Sequence, residues 1–302
     1  MNKTILIGLS LFFNLIFVGC SMNKSFLQPT KIPTSTLSFK IRSELSNSPY
    51  LVFIDSSKNY EPTFLTEKRD TINQGFKITS VFLESTKKRK INGWWLMPEN
   101  TTSKGTIIFF HGNSGSLFSH YSLITPLVKY GYTVFLFDYS GFGYSEGKST
   151  QKNALSDGQA VIQYVCDSLQ ESQENIIIYG QSFGGQLAIT AYLNSKNNKI
   201  KGIVSEGTFT SSKDIAKHHL GLIGKVLTKQ TFNAKESIKN IEIPMLIIHS
   251  KEDSIVPFQM GRELFNSANS PKKFLEIDGK HCYGNILYSD TINKEMIKLF
   301  KL

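Results

Sequence analysis

Short apolar runs alternate with stretches of helical periodicity from residue 75 to the C-terminus. Runs that are apolar at every position are typical of strands buried on both faces of a sheet. Such strands are predicted at 106–110, 133–137, 175–179, 200–205, 243–250 and 273–277. Helices are predicted at 121–130, 154–169, 185–193, 257–268 and 286–299. Strands that alternate with helices pair in parallel through right-handed crossovers, so the pattern predicts an α/β fold with helices on both faces of the sheet.

Two further apolar runs, at 76–83 and 91–97, precede these elements and are separated by a charged turn. They predict an antiparallel hairpin that extends one edge of an otherwise parallel sheet. The turn holds the densest cationic run of the chain, at 87–90. The formal net charge is +10, but the other lysines are scattered, and a short run at a hairpin tip is typical of a solvated turn. Binding to nucleic acid is therefore not expected.

The first residues of the chain are typical of a secretory signal. Lys3 precedes a nearly uninterrupted apolar run at 5–18, which is shorter than the roughly 20 residues that span a membrane. The run ends in Val18-Gly19-Cys20, which resembles the lipoprotein box of bacteria. This resemblance implies a signal peptide at 1–19, palmitate-type acyl chains on Cys20 and a lipid-anchored place in the bacterial cell envelope, at the outer membrane or the periplasmic face. The alternative is an uncleaved N-terminal anchor with an incidental cysteine.

The strongest chemical signal is the motif Gly180-Gln181-Ser182-Phe183-Gly184-Gly185. A predicted strand ends directly before it and a predicted helix follows, which is the context of a nucleophile elbow. The residues that flank the serine in so tight a turn must be small, and Gly180 and Gly184 meet that need. The Ser182 hydroxyl is then predicted to project at a helix N-terminus, where partial positive charge favours an anionic intermediate.

A second stretch, Gly143-Tyr144-Ser145-Glu146-Gly147, matches the same letters but is not predicted to hold the nucleophile. The strand before it is predicted to end at Phe137, so Ser145 lies well along a loop. A serine in that position is not on a strand-to-helix turn.

The loop His111-Gly112-Asn113-Ser114-Gly115 directly follows the predicted strand 106–110. In enzymes with a nucleophile elbow, a loop at this position supplies one backbone N–H to the oxyanion hole, and the residue after the nucleophile supplies the other. Here these residues are Asn113 and Phe183. His111 is interpreted as a residue that structures the loop.

A candidate acid follows at Asp253, in the loop after the predicted strand 243–250. This is the carboxyl edge of the sheet, where the sites of open α/β folds form. Glu206, at the end of the strand before, is the alternative acid.

A candidate base follows at His281, in a glycine-containing loop after the last predicted strand. It completes the chain order Ser, Asp, His that accompanies the elbow. We expect His281 to take the proton of Ser182 while the acid fixes the tautomer of its ring. Cys282 lies beside it on no elbow and is interpreted as a packing residue.

Taken together, these motifs make the chain similar to the α/β hydrolases of the Bem46 and serine aminopeptidase-like group. The resemblance implies the α/β-hydrolase fold and a serine hydrolase with Ser182, Asp253 and His281 as a catalytic triad, without metal or cofactor. It implies a catalytic domain at 75–302, preceded by a tether and N-terminal extension at 20–74.

The length of the cap leads us to expect hydrolysis of fairly small acyl esters or thioesters, or of lipid-like substrates at the membrane surface. The cap is predicted to be short, with one helix at 213–227, which favours an open site. An aminopeptidase or amidase with the same triad is the first alternative, and a non-catalytic interaction module is the second.

Overall fold

A computed structural model of the chain describes residues 26–42, 49–99, 101–169, 175–195 and 197–302. The predicted signal peptide and Cys20 lie outside the described residues. The strands are β1 (Gln28–Pro29), β2 (Ser38–Arg42), β3 (Pro49–Asp55), β4 (Glu61–Leu65), β5 (Phe76–Glu84), β6 (Lys90–Pro98), β7 (Gly105–Phe110), β8 (Ser114–Gly115), β9 (Tyr132–Phe137), β10 (Ile176–Gln181), β11 (Ile200–Glu206), β12 (Met245–Ser250) and β13 (Lys272–Ile277). The helices are α1 (Leu117–Val128), α2 (Gln151–Ser168), α3 (Phe183–Ser195), α4 (Ser212–Leu227), α5 (Ala234–Ser237), α6 (Phe258–Ser267), α7 (Gly284–Leu287) and α8 (Ser289–Phe300).

The central sheet of the described residues has eight strands, in the order β13-β12-β11-β10-β7-β9-β6-β5. The strands from β13 to β9 pair in parallel. Strand β6 pairs antiparallel with both β9 and β5. The predicted mostly parallel sheet with an antiparallel hairpin at one edge is therefore confirmed.

All residues of strand β7 are buried, which explains the continuous apolar run in its sequence. Ile108 and Phe110 join the core on one face of the sheet, together with residues of α2 and α3. Ile107 and Phe109 join the core on the other face, together with residues of α1 and α8. Helices thus cover both faces, as predicted.

Helix α1 begins at Leu117 and not at the predicted residue 121. The N–H of Leu117 donates a hydrogen bond to Oδ1 of Asp138 at 2.9 Å, and Ser116 and Ser119 form a capping box. These partners satisfy N–H groups that a first helical turn leaves free. The early start was not predicted because the Asp138 carboxylate comes from the loop after β9.

The N-terminal extension contains a separate antiparallel sheet of β2, β3 and β4. Its residues Val52 and Phe64 are buried in the core beside α1, and the ring of Phe64 lies 4.9 Å from that of Tyr121. Further upstream, β1 pairs in parallel with the short strand β8. The extension is therefore packed against the large sheet over the residues that the structure describes.

The register of the sheet brings several strand ends to one edge. Gln181 at the end of β10 pairs with Glu206 at the end of β11, and Ser250 at the end of β12 pairs with Ile277 at the end of β13. The loops that follow these strands leave the sheet side by side, and they carry the predicted site residues.

Candidate active site

Ser182 occupies the turn between β10 and α3 with a left-handed backbone, φ 55°. Its N–H donates to the carbonyl of Glu206 at 2.8 Å, which fixes the turn on the neighbouring strand. A Cβ at Gly180 would lie 2.6 Å from the Gly184 carbonyl oxygen, and one at Gly184 would run into the end of β7. A strained backbone that its surroundings enforce is common at functional sites.

His281 and Asp253 are in direct contact. The His281 Nδ1–H donates to Oδ2 of Asp253 at 2.6 Å. Oδ1 of the same carboxylate accepts from the N–H groups of Ile255, at 2.9 Å, and Val256, at 2.8 Å. Burial acts to raise the pKa of Asp253, but the hydrogen bonds from His281 and from these amides outweigh it and leave that pKa below its usual value. The carboxylate is therefore ionised at neutral pH and orients the imidazole with Nδ1 protonated.

The two loops that carry this pair are tied to each other. The Ser250 hydroxyl donates to the carbonyl of Gly279. The Gly279 N–H donates to the Glu252 carboxylate at 2.9 Å. Glu252 thus holds the histidine loop against the aspartate loop.

The serine turn and the histidine loop meet at the peptide between Glu206 and Gly207. The Glu206 carbonyl accepts from Ser182, and the sulfur of Cys282 lies 3.8 Å from the same oxygen. A Cβ at Gly207 would lie 3.0 Å from Cε1 of the His281 ring, and its φ of 59° is left-handed, so glycine suits both the backbone and the close approach of the imidazole. Burial raises the pKa of the Cys282 thiol well above its usual value, which keeps it a neutral packing group as predicted for this residue.

Glu206 itself is engaged away from the imidazole. Its carboxylate accepts hydrogen bonds from Tyr179, Gln181 and the backbone of Gly284. Of the two candidate acids, the structure brings Asp253 and not Glu206 into hydrogen-bond contact with His281.

His249 lies behind the aspartate loop at the end of β12. It is fully buried, its Nε2–H donates to the carbonyl of Val256 at 2.9 Å, and the same nitrogen is 3.5 Å from Oδ2 of Asp253. Burial lowers the pKa of His249, so it stays neutral and supports the loop.

The candidate oxyanion loop is held from outside by the N-terminal extension. The Asn113 side chain donates to the carbonyl of Phe26 at 2.8 Å, and its own carbonyl accepts from the N–H of Gln28 at 2.8 Å. Phe183, the second candidate, is the first residue of α3, whose N–H has no acceptor within the helix. Asn113 lines the same cavity as Ser182, and Phe183 directly follows Ser182 in the chain.

His111 and Ser145 are both structural in their contacts. His111 is fully buried, donates from Nδ1 to the Gly112 carbonyl at 2.8 Å, and has a pKa that burial lowers well below its usual value. The fully buried Ser145 hydroxyl donates to the Asp138 carbonyl at 2.7 Å and accepts from the Asn92 N–H at 2.9 Å. With both of its bonds made inside the protein, this hydroxyl cannot reach a substrate.

A cavity of about 350 Å³ opens beside Ser182 and Asn113. Its walls are mainly apolar and come from the N-terminal extension, the loop after β11, α4 and the aspartate loop: Phe26, Phe209, Ile215, Leu220 and Ile255. A larger cavity of about 610 Å³ lies at the amino end of β7, where Lys104 is the sole ionisable side chain among the described lining residues. The cavity beside Ser182 thus combines an apolar binding volume with the candidate nucleophile.

Comparison with known proteins identifies the family of the chain. The profile of the alpha/beta hydrolase fold matches residues 105–219. The uncharacterized protein YfhR of Escherichia coli K12 is 31% identical over 198 residues, which are 64% of this chain and 69% of YfhR. The chain belongs to the α/β-hydrolase family.

Two further similarities extend over more of the hydrolase. The lysophosphatidylserine lipase ABHD12 of Danio rerio is 25% identical over 74% of this chain and 64% of its own length. The crystal structure of the esterase Pf2001 from Pyrococcus furiosus superposes with a TM-score of 0.62 at 22% identity, over 76% of this chain and 93% of the esterase. The predicted resemblance to α/β hydrolases and the predicted fold class are thereby confirmed. Esterases and lipases are among the relatives and structural neighbours of the chain.

The contribution of the N-terminal extension to the hydrolase site was not predicted from the sequence. Phe26 packs edge-on against Phe183 at 5.6 Å and Phe209 at 5.8 Å between ring centroids. The strand that follows it, β1, has only two residues, too few for a recognisable alternation. Among the described residues, none of the helices has the length and apolar character needed to cross a membrane.

Proposed function

We propose that the protein is a membrane-anchored serine hydrolase that cleaves carboxylic esters and thioesters. The observation that carries the proposal is the 2.6 Å hydrogen bond between His281 and Asp253, formed at the sheet edge where Ser182 stands in a strained turn beside an apolar cavity. A buried carboxylate that orients a partly buried imidazole near a serine at a helix N-terminus is the arrangement needed for nucleophilic catalysis.

The proposed reaction has two halves. The Ser182 oxygen attacks the ester carbonyl carbon while Nε2 of His281 takes its proton, and the oxyanion is held by the N–H groups of Asn113 and Phe183. The tetrahedral intermediate collapses, His281 returns the proton to the leaving alcohol or thiol, and an acyl-enzyme forms. Water, activated by the same imidazole, then releases the acid. Asp253 stabilises the imidazolium in both halves.

The walls of the cavity favour an acyl ester or a lipid-like substrate. Its described lining residues include His219 but no aspartate or glutamate, which an aminopeptidase would need to hold a substrate amino group. The relative ABHD12 is named a lysophosphatidylserine lipase, and we extend lipid ester chemistry to this chain on that likeness.

A fluorophosphonate probe tests the proposed nucleophile. We expect the full-length protein to be labelled, Ser182→Ala to lose labelling and ester turnover entirely, and Ser145→Ala to keep both. Circular dichroism and thermal unfolding of each variant check that it is folded. Labelling that survives Ser182→Ala, or that depends on Ser145, would show that the elbow serine is not the nucleophile.

A substrate panel separates esters from amides. Rising chain lengths of p-nitrophenyl esters are compared with amino-acid p-nitroanilides, and we expect kcat/KM for the esters to be higher by at least 100-fold. Anilide turnover that equals ester turnover would favour the amidase alternative.

Metabolic labelling tests the proposed anchor. We expect a palmitate analogue to label the wild-type protein in a bacterial host and not to label Cys20→Ser. Equal labelling of both would refute lipidation at Cys20.

A further inference from the structure

Helix α4, which forms the cap above Ser182, presents an unusually apolar outer surface. Leu220, Leu222, Ile223 and Val226 are 58%, 71%, 71% and 78% exposed. Leucine, isoleucine and valine are normally removed from water, and an exposed contiguous group of them on a soluble surface marks a place of interaction. We call these four residues the cap ridge.

The backbone conformation of α4 exposes the cap ridge to solvent. Gly221 has φ 65° and ψ −157°, a backbone conformation that interrupts the helix and that residues other than glycine rarely adopt. Beyond this interruption, Gly224 is buried against the carbonyl of Ala216. The second half of the helix therefore folds back with its glycine inward and its large apolar residues outward.

The charged side chains nearest to the cap ridge along the chain are all lysines. Lys217, Lys225 and Lys229 are exposed, and the sequence has no acidic residue between Asp214 and Glu236. An apolar strip flanked by lysines matches the surface of a bilayer that contains anionic phospholipids, where the apolar side chains enter the acyl boundary and the cations meet the headgroups. A second copy of the chain would place these lysines against the same lysines, which is unfavourable.

The cap ridge is continuous with the cavity of the candidate site. Leu220 belongs to the ridge and also lines the cavity beside Ser182, and exposed Ile255 lines the same opening. Phe26, where the described part of the chain starts, lies in that lining too. Because six residues span at most about 20 Å, an anchor at Cys20 would hold the same face of the protein at the membrane.

We propose that the cap ridge docks on an anionic phospholipid bilayer and presents the mouth of the Ser182 cavity to lipid acyl chains. Docking itself requires only the ridge and its lysines, whereas the delivery of acyl chains rests on the proposed ester hydrolysis. The substrate class that follows is an acyl ester drawn from the membrane, such as a lysophospholipid or a longer-chain glyceride.

Depth-dependent quenching tests the docking in the full-length protein. Leu222→Trp adds a reporter on the ridge, and the matched control Ile297→Trp adds one on α8. The end of α8 packs near the start of β11, which is the amino end of the parallel strands, whereas Ser182 lies at their carboxyl end. Vesicles of phosphatidylcholine and phosphatidylglycerol carry brominated acyl chains. After subtraction of the signal from Trp94 and Trp95, we expect quenching of Leu222→Trp to exceed that of Ile297→Trp at least twofold. Charge reversal by Lys225→Glu with Lys229→Glu is expected to reduce it severalfold.

Turnover then separates docking from chemistry. For Leu222→Asp with Val226→Asp, we expect hydrolysis of a vesicle-borne lysophospholipid to fall at least tenfold while turnover of soluble p-nitrophenyl acetate stays within twofold. Equal quenching of the two reporters, no quenching at residue 222, or a dimer in sedimentation that the aspartates dissociate would overturn the docking proposal. Absence of fluorophosphonate labelling with intact quenching would instead overturn the proposed hydrolase activity alone.

Discussion

The carboxylate of Glu206 accepts a hydrogen bond from the backbone N–H of Gly284 at 2.6 Å. Its other oxygen accepts from the Tyr179 hydroxyl at 2.7 Å and from the Gln181 side-chain amide at 2.8 Å. All three partners are donors, so the buried carboxylate joins the ends of β10 and β11 to the start of α7. Because α7 directly follows the loop of His281, we predict that Glu206 positions the imidazole.

Glu206→Gln is expected mainly to lower stability, and Asp253→Asn mainly to lower activity. Glutamine brings an NH2 group to a place where every partner is a donor, so the free energy of unfolding should fall by about 1–3 kcal/mol while kcat falls less than about tenfold. Asparagine at residue 253 no longer favours the tautomer with a free Nε2, so kcat should fall by about 10⁴-fold. Urea unfolding and p-nitrophenyl butyrate turnover measure both. The reverse pattern would make Glu206 the catalytic acid.

Asp138 is a buried carboxyl whose protonation links stability to pH. Burial raises the pKa of Asp138 to about 8, against the hydrogen bond from Leu117 and the charge of Lys31. In an unfolded chain this pKa is about 3.9. Between the two values the folded state holds a proton that the unfolded state has lost, so this carboxyl lowers stability as pH rises through the window from about 4 to 8.

The variant Asp138→Asn tests this dependence of stability on pH. Its side chain keeps an oxygen that accepts from the Leu117 N–H, and it does not titrate. From pH 5.5 to 8.0, we expect wild type to lose about 1–3 kcal/mol of unfolding free energy relative to the variant. Burial lowers the pKa of His111 and His120, and these groups act in the opposite direction. They are present in both proteins, so the difference between the two urea-unfolding curves isolates residue 138. Parallel pH profiles would show that Asp138 is ionised when folded.

The sheet and the positions of the candidate site residues could be predicted because their signals are local. A strand buried on both faces must be apolar throughout, and Ser182, Asp253 and His281 each lie just past such a strand. Their roles stay predictions, but the contact between His281 and Asp253 follows from adjacent parallel strands whose loops leave the same edge.

The parts that were not predicted depend on contacts between distant segments. Asn113 is held by Phe26 and Gln28, which no periodicity links to it. The run at 87–90 was interpreted as a solvated turn, which is wrong for Arg89. That side chain turns inward to the buried Asp157, a partner 68 residues away on α2.

Phe26 forms one wall of the cavity, and its loss should weaken the binding of acyl groups. Phe26→Ala removes contacts with the rings of Phe183 and Phe209, and a loss of about 1–2 kcal/mol corresponds to a five- to thirtyfold fall in kcat/KM for p-nitrophenyl butyrate. The control is Phe39→Ala, which removes an edge-on contact with Phe118 away from the cavity. We expect the control to keep kcat/KM within twofold. Equal losses in both variants would point to a general loss of stability and not to a wall of the site.

Arg89 should stabilise the fold more than any lysine beside it. Its Nη2 lies 2.8 Å from Oδ1 of Asp157, whose side chain is fully buried, and its Nε donates to the Ser140 hydroxyl at 2.7 Å. Removal of one partner of a buried ion pair leaves an uncompensated charge, so Arg89→Ala should lower the free energy of unfolding by about 3–5 kcal/mol. Lys87→Ala, an exposed position in the same turn, should change it by less than about 0.5 kcal/mol. Urea unfolding at pH 7 measures both, and a similar small effect at the two positions would mean that water replaces the guanidinium beside Asp157.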